Sequence, residues 1–216
     1  MLLRTPHKVR RPENADVGIK KMKRIVLLAM ATLLAGCVSP PKDSIEVVLD
    51  DEGQIIANWV DTTLTRTPQK LVLVLESTVE PGLDYAPTET MFKGISINGQ
   101  PLRVDKTTIA SFQNANTTLQ RLRIQLSFAV PHNILTGKEL HAFFQKKDGW
   151  KDFNKRYPES HGYFSFARVG FNQGKTEALL YVEQYVGWLH AGGRYVLFRK
   201  YENEWHSVAE QSTWVS

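Results

Sequence analysis

The chain has 216 residues, with 27 Lys and Arg, 22 Asp and Glu, 42% hydrophobic residues and a single Cys. This composition excludes a disordered chain, a small domain held by disulfides, a cysteine-rich zinc module and a multi-pass membrane protein. The formal net charge of +5 does not indicate nucleic-acid binding, because eight of the basic residues lie in residues 1–36 and the rest of the chain is close to neutral.

The N-terminal region is typical of an exported lipoprotein. Lys23 and Arg24 precede about a dozen mostly apolar residues, a run too short to cross a bilayer comfortably as a helix. The run ends in the tetrapeptide Leu-Ala-Gly-Cys at residues 34–37, which resembles the lipobox of bacterial lipoproteins. That resemblance implies that Cys37 carries a diacylglyceryl group on its sulfur and becomes the first residue of the mature protein.

This interpretation divides the chain into four segments. Residues 1–21 are a disordered leader or lie before the true start of translation, because Met22 and the two basic residues after it would begin a compact signal peptide by themselves. Residues 22–36 are the lipoprotein signal peptide, residues 37–43 a lipidated tether stiffened by two prolines, and residues 44–216 a single extracytoplasmic domain. Val38 stands in place of the Asp that resembles an inner-membrane retention signal, so the outer membrane, facing the periplasm, is favoured if the host has two membranes.

A helix is predicted at the start of the domain. Apolar residues recur at helical spacing between residues 45 and 60, with Asp43 or Ser44 as the N-cap. A hairpin that turns at residues 50–53 is the alternative, because Gly53 weakens the helical pattern.

Strands and a loop are predicted next. Residues 70–76 form a nearly continuous apolar run typical of a strand covered on both faces, and the Pro- and Gly-containing residues 77–93 are predicted to form a loop. The Asn98-Gly99 pair indicates a small hairpin within residues 94–104. Apolar and polar residues alternate in residues 119–130, which predicts a strand with one face in water.

Two further helices are predicted before the last third of the chain. Thr136 and Glu139 have the spacing of a capping box, with Leu135 and Leu140 placed for a hydrophobic staple. One or two more helical turns carry Trp150, Phe153 and Tyr157 at spacings of three and four and stop at Pro158.

After Pro158 the pattern is entirely β. Four strands are predicted, over residues 163–171, 177–185, 194–201 and 205–216, and the connections between them are short. Short connections favour antiparallel pairing between neighbours. The predicted fold class is therefore α+β, an antiparallel β-meander with a few helices packed on one face.

Residues of about 149–216 resemble a family of uncharacterised exported bacterial proteins. The similarity is carried by Gly149-Trp150, Tyr157-Pro158-x-Ser160-x-Gly162, Phe166-x-Arg168-Val169-Gly170-Phe171-Asn172, Tyr181-Val182, Gly193-x-Tyr195-x-Leu197 and Trp205. Ala167 stands where the family pattern commonly has Ser. The resemblance implies an exported single domain and supplies no catalytic residue.

The sequence offers two candidate binding regions and no cofactor or metal site. Tyr157, His161, Tyr163 and Arg168 form the densest polar group, although Arg168 is alternatively a brace between the sheet and an acid, and the aromatic residues are alternatively core. Trp188 lies at a predicted loop tip, where it binds a partner or folds back over the sheet edge. The histidines are scattered, and a lipid-modified Cys37 leaves no thiol for a metal.

The predicted function is a binding or structural module anchored in the cell envelope by lipid. Its predicted partners are the membrane, through the lipid anchor, and an envelope protein or a small molecule, but no nucleic acid. The alternative is a periplasmic enzyme, such as a hydrolase, with a site near His161 and Arg168. That alternative requires a pocket that joins these two side chains to a carboxylate.

Overall fold

The computed structural model describes residues 49–216. The predictions for the leader, signal peptide, tether and Cys37 therefore fall outside the described residues. Among the residues that are described, no helix is long and apolar enough to span a membrane.

The described chain contains four helices, a seven-stranded mixed sheet and a separate two-stranded hairpin, an α+β architecture. The helices are α1 (Asp51–Arg66), α2 (Lys106–Ala115), α3 (Gly137–Phe144) and α4 (Gly149–Arg156). The strands are β1 (Val72–Leu75), β2 (Ser96–Ile97), β3 (Gln100–Pro101), β4 (His132–Leu135), β5 (Tyr163–Phe166), β6 (Gly170–Phe171), β7 (Glu177–Gly187), β8 (His190–Tyr201) and β9 (Glu204–Val215). A short 3-10 helix, Leu83–Tyr85, lies in the predicted loop.

The strand order in the large sheet is β4-β1-β5-β7-β8-β9, with β6 also paired to β7. The predicted antiparallel meander describes β5 to β9 but is wrong for the sheet as a whole, because β1 pairs in parallel with both β4 and β5. The reason is the length of the connections. Helices and loops separate β1 from β4 and β5, and a long connection permits the crossover that a parallel pair needs.

Helices cover both faces of the sheet, so the prediction of helices on one face is also wrong. α1 packs its apolar side chains, Trp59 among them, against alternate strand residues such as Val72 and Leu180. Phe112 of α2 packs on the opposite face with Leu179, and α3 and α4 cover a third cluster at the β1–β5 end. Two-sided cover explains why successive residues 177–183 of β7 are all buried.

The first helix is confirmed, and the hairpin alternative is wrong. Its N-cap is Asp50, not Asp43 or Ser44, and the Asp50 carboxylate accepts a hydrogen bond from the Gly53 amide. Gly53 is tolerated inside the first turn for a packing reason, since a Cβ there would lie 2.6 Å from the Gln125 carbonyl oxygen.

Asp51 joins the start of α1 to the ends of β8 and β9 that flank the turn between these strands. Its carboxylate accepts hydrogen bonds from Lys200 at 2.9 Å and from the Trp205 indole at 3.1 Å, and Lys175 lies 3.5 Å away. The pKa of Asp51 is lowered, chiefly by the hydrogen bond from Lys200. Burial partly opposes this effect, whereas the hydrogen bond from Trp205 and the charges of Lys200 and Lys175 add to it.

Residues 121–130 alternate as predicted but form no strand of the described sheets. Their apolar side chains, Leu122 to Val130 at every second position, pack against the α1 core cluster, while the polar ones face outward. The Ala129 amide donates to the Asp61 carboxylate of α1. This segment is an extended strap across the helix layer, so its period-two pattern arises from packing rather than from ladder pairing.

Most of the remaining local predictions are confirmed. Thr136 and Glu139 form the reciprocal capping box of α3, α4 ends before Pro158, and Asn98 and Gly99 occupy a turn with φ of 53° and 76° between β2 and β3. The four predicted C-terminal strands are present, with the first divided into β5 and β6. The connection between the second and third of these strands is shorter than predicted, because β7 and β8 extend beyond the predicted strands and only residues 188 and 189 separate them.

Candidate functional site

An open groove lies where the β7–β8 hairpin and the end of β9 meet the α3–α4 pair. We call it the aromatic groove; it has a volume of about 250 Å³, and six aromatic side chains line it: Phe144, Trp150, Tyr163, Tyr185, Trp188 and Trp214. Gly187, Ala191 and Ser216 complete the lining. The small residues at these positions leave the aromatic surfaces open to a ligand.

The rings of the groove form a continuous row. Tyr163 and Tyr185 are cross-strand partners on β5 and β7, and their rings stack with centroids 4.9 Å apart. Trp150 lies nearly parallel to Tyr163 at 6.2 Å, and Trp214 tilts against Tyr185 at 6.1 Å. Ring-to-ring contacts of this kind hold aromatic side chains in fixed positions before any ligand arrives.

A buried carboxylate lies beneath this row. Tyr181, Glu183 and Tyr185 alternate along β7 and therefore share one face of the sheet. The Tyr185 hydroxyl donates to one Glu183 carboxylate oxygen at 2.6 Å, and the Tyr181 hydroxyl donates to the other at 3.0 Å. Glu183 is only 8% exposed. Within the described part of the chain, no Lys, Arg or His lies within ion-pair distance of it.

Further polar groups surround Glu183. The Trp214 indole donates to the Tyr181 hydroxyl at 3.0 Å, which links a groove residue to the carboxylate. Ser165 is the cross-strand partner of Glu183 and is 3% exposed, and its hydroxyl has no hydrogen-bond partner among the described residues. Gly193, opposite Glu183 on β8, makes room for this network, since a Cβ there would collide with the Tyr181 hydroxyl and the Trp214 indole nitrogen.

Burial and the nearby carboxylate keep these tyrosines protonated. Burial, with a contribution from the Glu183 charge, raises the pKa of Tyr163 to about 12, and burial likewise raises the pKa of Tyr181 to about 12. Burial and the hydrogen bond to Glu183 also raise the pKa of Tyr185. The hydroxyls of Tyr181 and Tyr185 are therefore stable donors, and the carboxylate is the acceptor in both hydrogen bonds.

The predicted polar group around His161 is divided between separate places. Tyr157 and His161 line a cavity of about 200 Å³ together with Ser160, Gly162 and Val186. The His161 side chain is exposed, and its backbone amide donates to the Gln69 side chain. Neither Arg168 nor a carboxylate lines this cavity, and Tyr163 belongs to the aromatic groove.

Arg168 forms a structural clamp, as its alternative interpretation predicted. Its guanidinium donates to both carboxylate oxygens of Glu52, with distances of 2.7–3.0 Å, and Glu52 also accepts from the Val169 amide. The Asn116 side chain bridges the Arg168 backbone to the end of α2. Arg168 is thus engaged in joining α1, α2 and the interruption between β5 and β6.

Trp188 is placed as predicted at a hairpin tip, is 67% exposed and lines the aromatic groove. Four residues of this site, Glu183, Tyr185, Trp150 and Trp214, were not among the candidate residues predicted from the sequence. A signal was available for two of them, since Tyr181, Glu183 and Tyr185 place an acid between two aromatic residues on one face of a largely apolar strand. The convergence of α4 and β9 on that face depends on tertiary packing.

No family model matches the chain, and no match was found among curated proteins or solved structures. Among the described residues, no group of three or more His, Cys, Asp and Glu side chains is arranged to hold a metal ion.

Proposed function

We propose that this protein is a lipid-anchored component of the cell envelope whose folded domain acts as a binding module through the aromatic groove. The observation that carries the proposal is the groove itself, in which six aromatic side chains line an open concave surface above a buried carboxylate. Aromatic side chains in preformed concave sites supply large contact areas at a low cost in conformational entropy.

The geometry favours binding over hydrolysis. A hydrolase at the predicted position would need His161 and Arg168 in one pocket with a carboxylate, whereas His161 lines one cavity and Arg168 is held by Glu52. The groove residues have no nucleophile next to a base. The lining residues mainly supply aromatic ring surfaces, which are typical of a recognition site.

The proposed location follows from the N-terminal sequence. The Leu-Ala-Gly-Cys tetrapeptide at residues 34–37 supports acylation of Cys37, and residues 37–43 would tether the domain to the membrane surface. We place the domain on the periplasmic side of the outer membrane in a host that has two membranes. A small molecule or an envelope protein that presents a compact group would be the partner in the groove.

The binding proposal is tested by filling the groove. Ala191→Trp places a large side chain opposite Tyr185, and Trp188→Ala removes one wall. Each variant is expected to fold with an unchanged melting temperature and to fail to complement deletion of the gene. Tyr201→Ala is the matched control, because it removes an exposed aromatic residue at the other end of β8. Full complementation by both groove variants at normal protein levels would refute a binding role for the groove.

The anchor is tested by Cys37→Ala. Since the chain has a single Cys, no other thiol can accept the lipid. Metabolic labelling with a radioactive fatty acid is expected to label the wild-type protein and not the variant. Equal labelling of the two proteins would refute the lipoprotein assignment.

A further inference from the structure

The charge beneath the aromatic groove is the first indication of its ligand. Both oxygens of Glu183 accept hydrogen bonds from tyrosine hydroxyls, and the carboxylate has no further partner among the neighbouring side chains that the structure describes. Buried carboxylates in proteins are normally paired with a cation. Among the described residues Glu183 has no such partner, and the neighbouring Ser165 hydroxyl is buried without a hydrogen bond. The site therefore contains a buried acidic side chain that no cation among the described residues pairs with.

The rings above the carboxylate are the second indication. Aromatic faces attract cations through their quadrupoles, most strongly those of Trp, and three Trp and two Tyr line the groove. Tyr185 donates its hydroxyl proton to Glu183 at 2.6 Å. A hydrogen bond to an anion polarises the phenol toward the ring, which strengthens the attraction between that ring and a cation.

The composition of the lining argues against an anionic ligand. No Lys, Arg or His is among the residues that line the groove, so a phosphate or carboxylate would find no opposite charge there. The groove is also too poor in polar groups to replace the water shell of a small inorganic cation. An alkylated ammonium group differs from such an ion, because its methyl groups carry the charge on an apolar surface that the rings can cover.

On these grounds we propose that the aromatic groove binds an organic cation of the trimethylammonium type, with the methylated nitrogen against Tyr185 and Trp214 and the rest of the ligand leaving past Trp188. The proposal rests on the binding role given to the groove above. It adds the chemical class of the ligand and a specific role for Glu183. The volume of about 250 Å³ has room for such a group and a short substituent.

The experiment compares two probes of nearly equal shape. Choline carries a trimethylammonium group, and 3,3-dimethylbutan-1-ol has a neutral tert-butyl group in its place. Each is titrated by calorimetry into the full chain in an uncharged detergent. Choline is expected to bind, and its neutral analogue to bind about tenfold more weakly, a difference of about 1.4 kcal/mol.

The variants assign the selectivity to its source. Glu183→Gln keeps the size of the side chain and is expected to weaken choline binding by about tenfold while leaving the neutral analogue unchanged. Tyr185→Phe keeps the ring and removes its hydrogen bond to Glu183. It provides a second test of the same interaction if Glu183→Gln does not fold. Glu210→Gln is the matched control, since it removes the same charge from the opposite face of the sheet, where Glu210 pairs with Arg194.

Three outcomes would overturn the proposal, and they differ in what they say of the groove. Equal affinity for the two probes, or choline binding that is insensitive to both Glu183→Gln and Tyr185→Phe, would show an apolar site and leave the binding role standing. If neither probe binds but Ala191→Trp fails to complement, the cationic ligand is refuted and the binding role of the groove stands. Absence of binding together with full complementation would refute both.

Discussion

The clamp between Glu52 and Arg168 permits a quantitative test of how α1 is held to the sheet. Replacing Glu52 by Gln removes the charge but keeps the length of the side chain. The Arg168 guanidinium then loses a bidentate partner, whereas the Val169 amide can still donate to the new side-chain oxygen.

The expected loss is about 2–3 kcal/mol of unfolding free energy. Removing one partner of a fully buried ion pair costs about 3–5 kcal/mol, because the other charge stays buried and unpaired. Glu52 is buried, but the Arg168 side chain is 34% exposed, so water can partly solvate the orphaned guanidinium and the loss falls below that range.

Urea denaturation followed by circular dichroism measures this loss. Glu159→Gln is the control, because the Lys70–Glu159 pair is 3.9 Å apart with side chains that are 84% and 59% exposed, and its loss should stay below about 0.5 kcal/mol. A double-mutant cycle with Arg168→Met should give a coupling energy of about 2 kcal/mol. A loss no larger than that of the control, or a coupling energy near zero, would refute the role of the clamp.

Three further predictions concern the core, the pH dependence and one turn. Phe153→Ala should lower the unfolding free energy by about 3–5 kcal/mol, because Phe153 is fully buried, whereas His161→Ala on the surface should change it by less than about 0.5 kcal/mol in the same urea assay; equal losses would contradict this assignment of core and surface. Folding lowers the pKa of Asp51, so the stability that Asp51 contributes is present above its ordinary pKa near 3.8 and is lost as the pH falls through the lowered value. The difference in unfolding free energy between wild type and Asp51→Asn should therefore be full at about pH 6 and shrink steadily below about pH 4. A difference that grew on acidification would contradict this prediction. Gly162→Ala should lower the melting temperature strongly, since Gly162 has a φ of 81° and a Cβ there would collide with the Tyr185 carbonyl, whereas Gly137→Ala, whose Cβ meets open space, should not; similar effects of the two substitutions would contradict the strained turn.

Elements set by short-range signals were predictable from the sequence. The capping box at Thr136 is a contact within one helical turn, and the Asn98-Gly99 turn needs only two residues that tolerate positive φ. The strands after residue 163 combine period-two or apolar patterns with short connections, and both properties are local.

Elements defined by long-range contacts were not predictable in the same way. An alternating pattern shows that one face of residues 121–130 is buried but does not show whether a sheet or a helix layer covers it. α2 lay in a stretch without a prediction, because only Thr108 and Phe112 of its ten residues are buried and its apolar periodicity is weak. Asp105, which caps the helix by accepting from the Thr107 amide, was the available signal.

The candidate site was predicted in part for a geometric reason. Tyr163 and Trp188 belong to the aromatic groove, whereas His161 and Arg168 were grouped with Tyr163 only because they are close in sequence. An extended chain rises about 3.3 Å per residue, so seven residues of β structure separate two side chains by about 20 Å. The groove is instead assembled across strands, through the pairing of Tyr163 with Tyr185.

The mixed pairing of the sheet also sets an order in which its parts are able to form. β7, β8 and β9 are joined by two-residue turns, so their contacts close small loops and need little entropy of closure. β1 pairs residue 72 with residue 132 and residue 74 with residue 164, across much longer loops. Topology of this kind favours early formation of the C-terminal hairpins and late docking of β1 and β4. The α4 side of the aromatic groove packs in one cluster with Leu73 of β1 and Leu135 of β4. We therefore expect the groove to be completed only when these two strands dock.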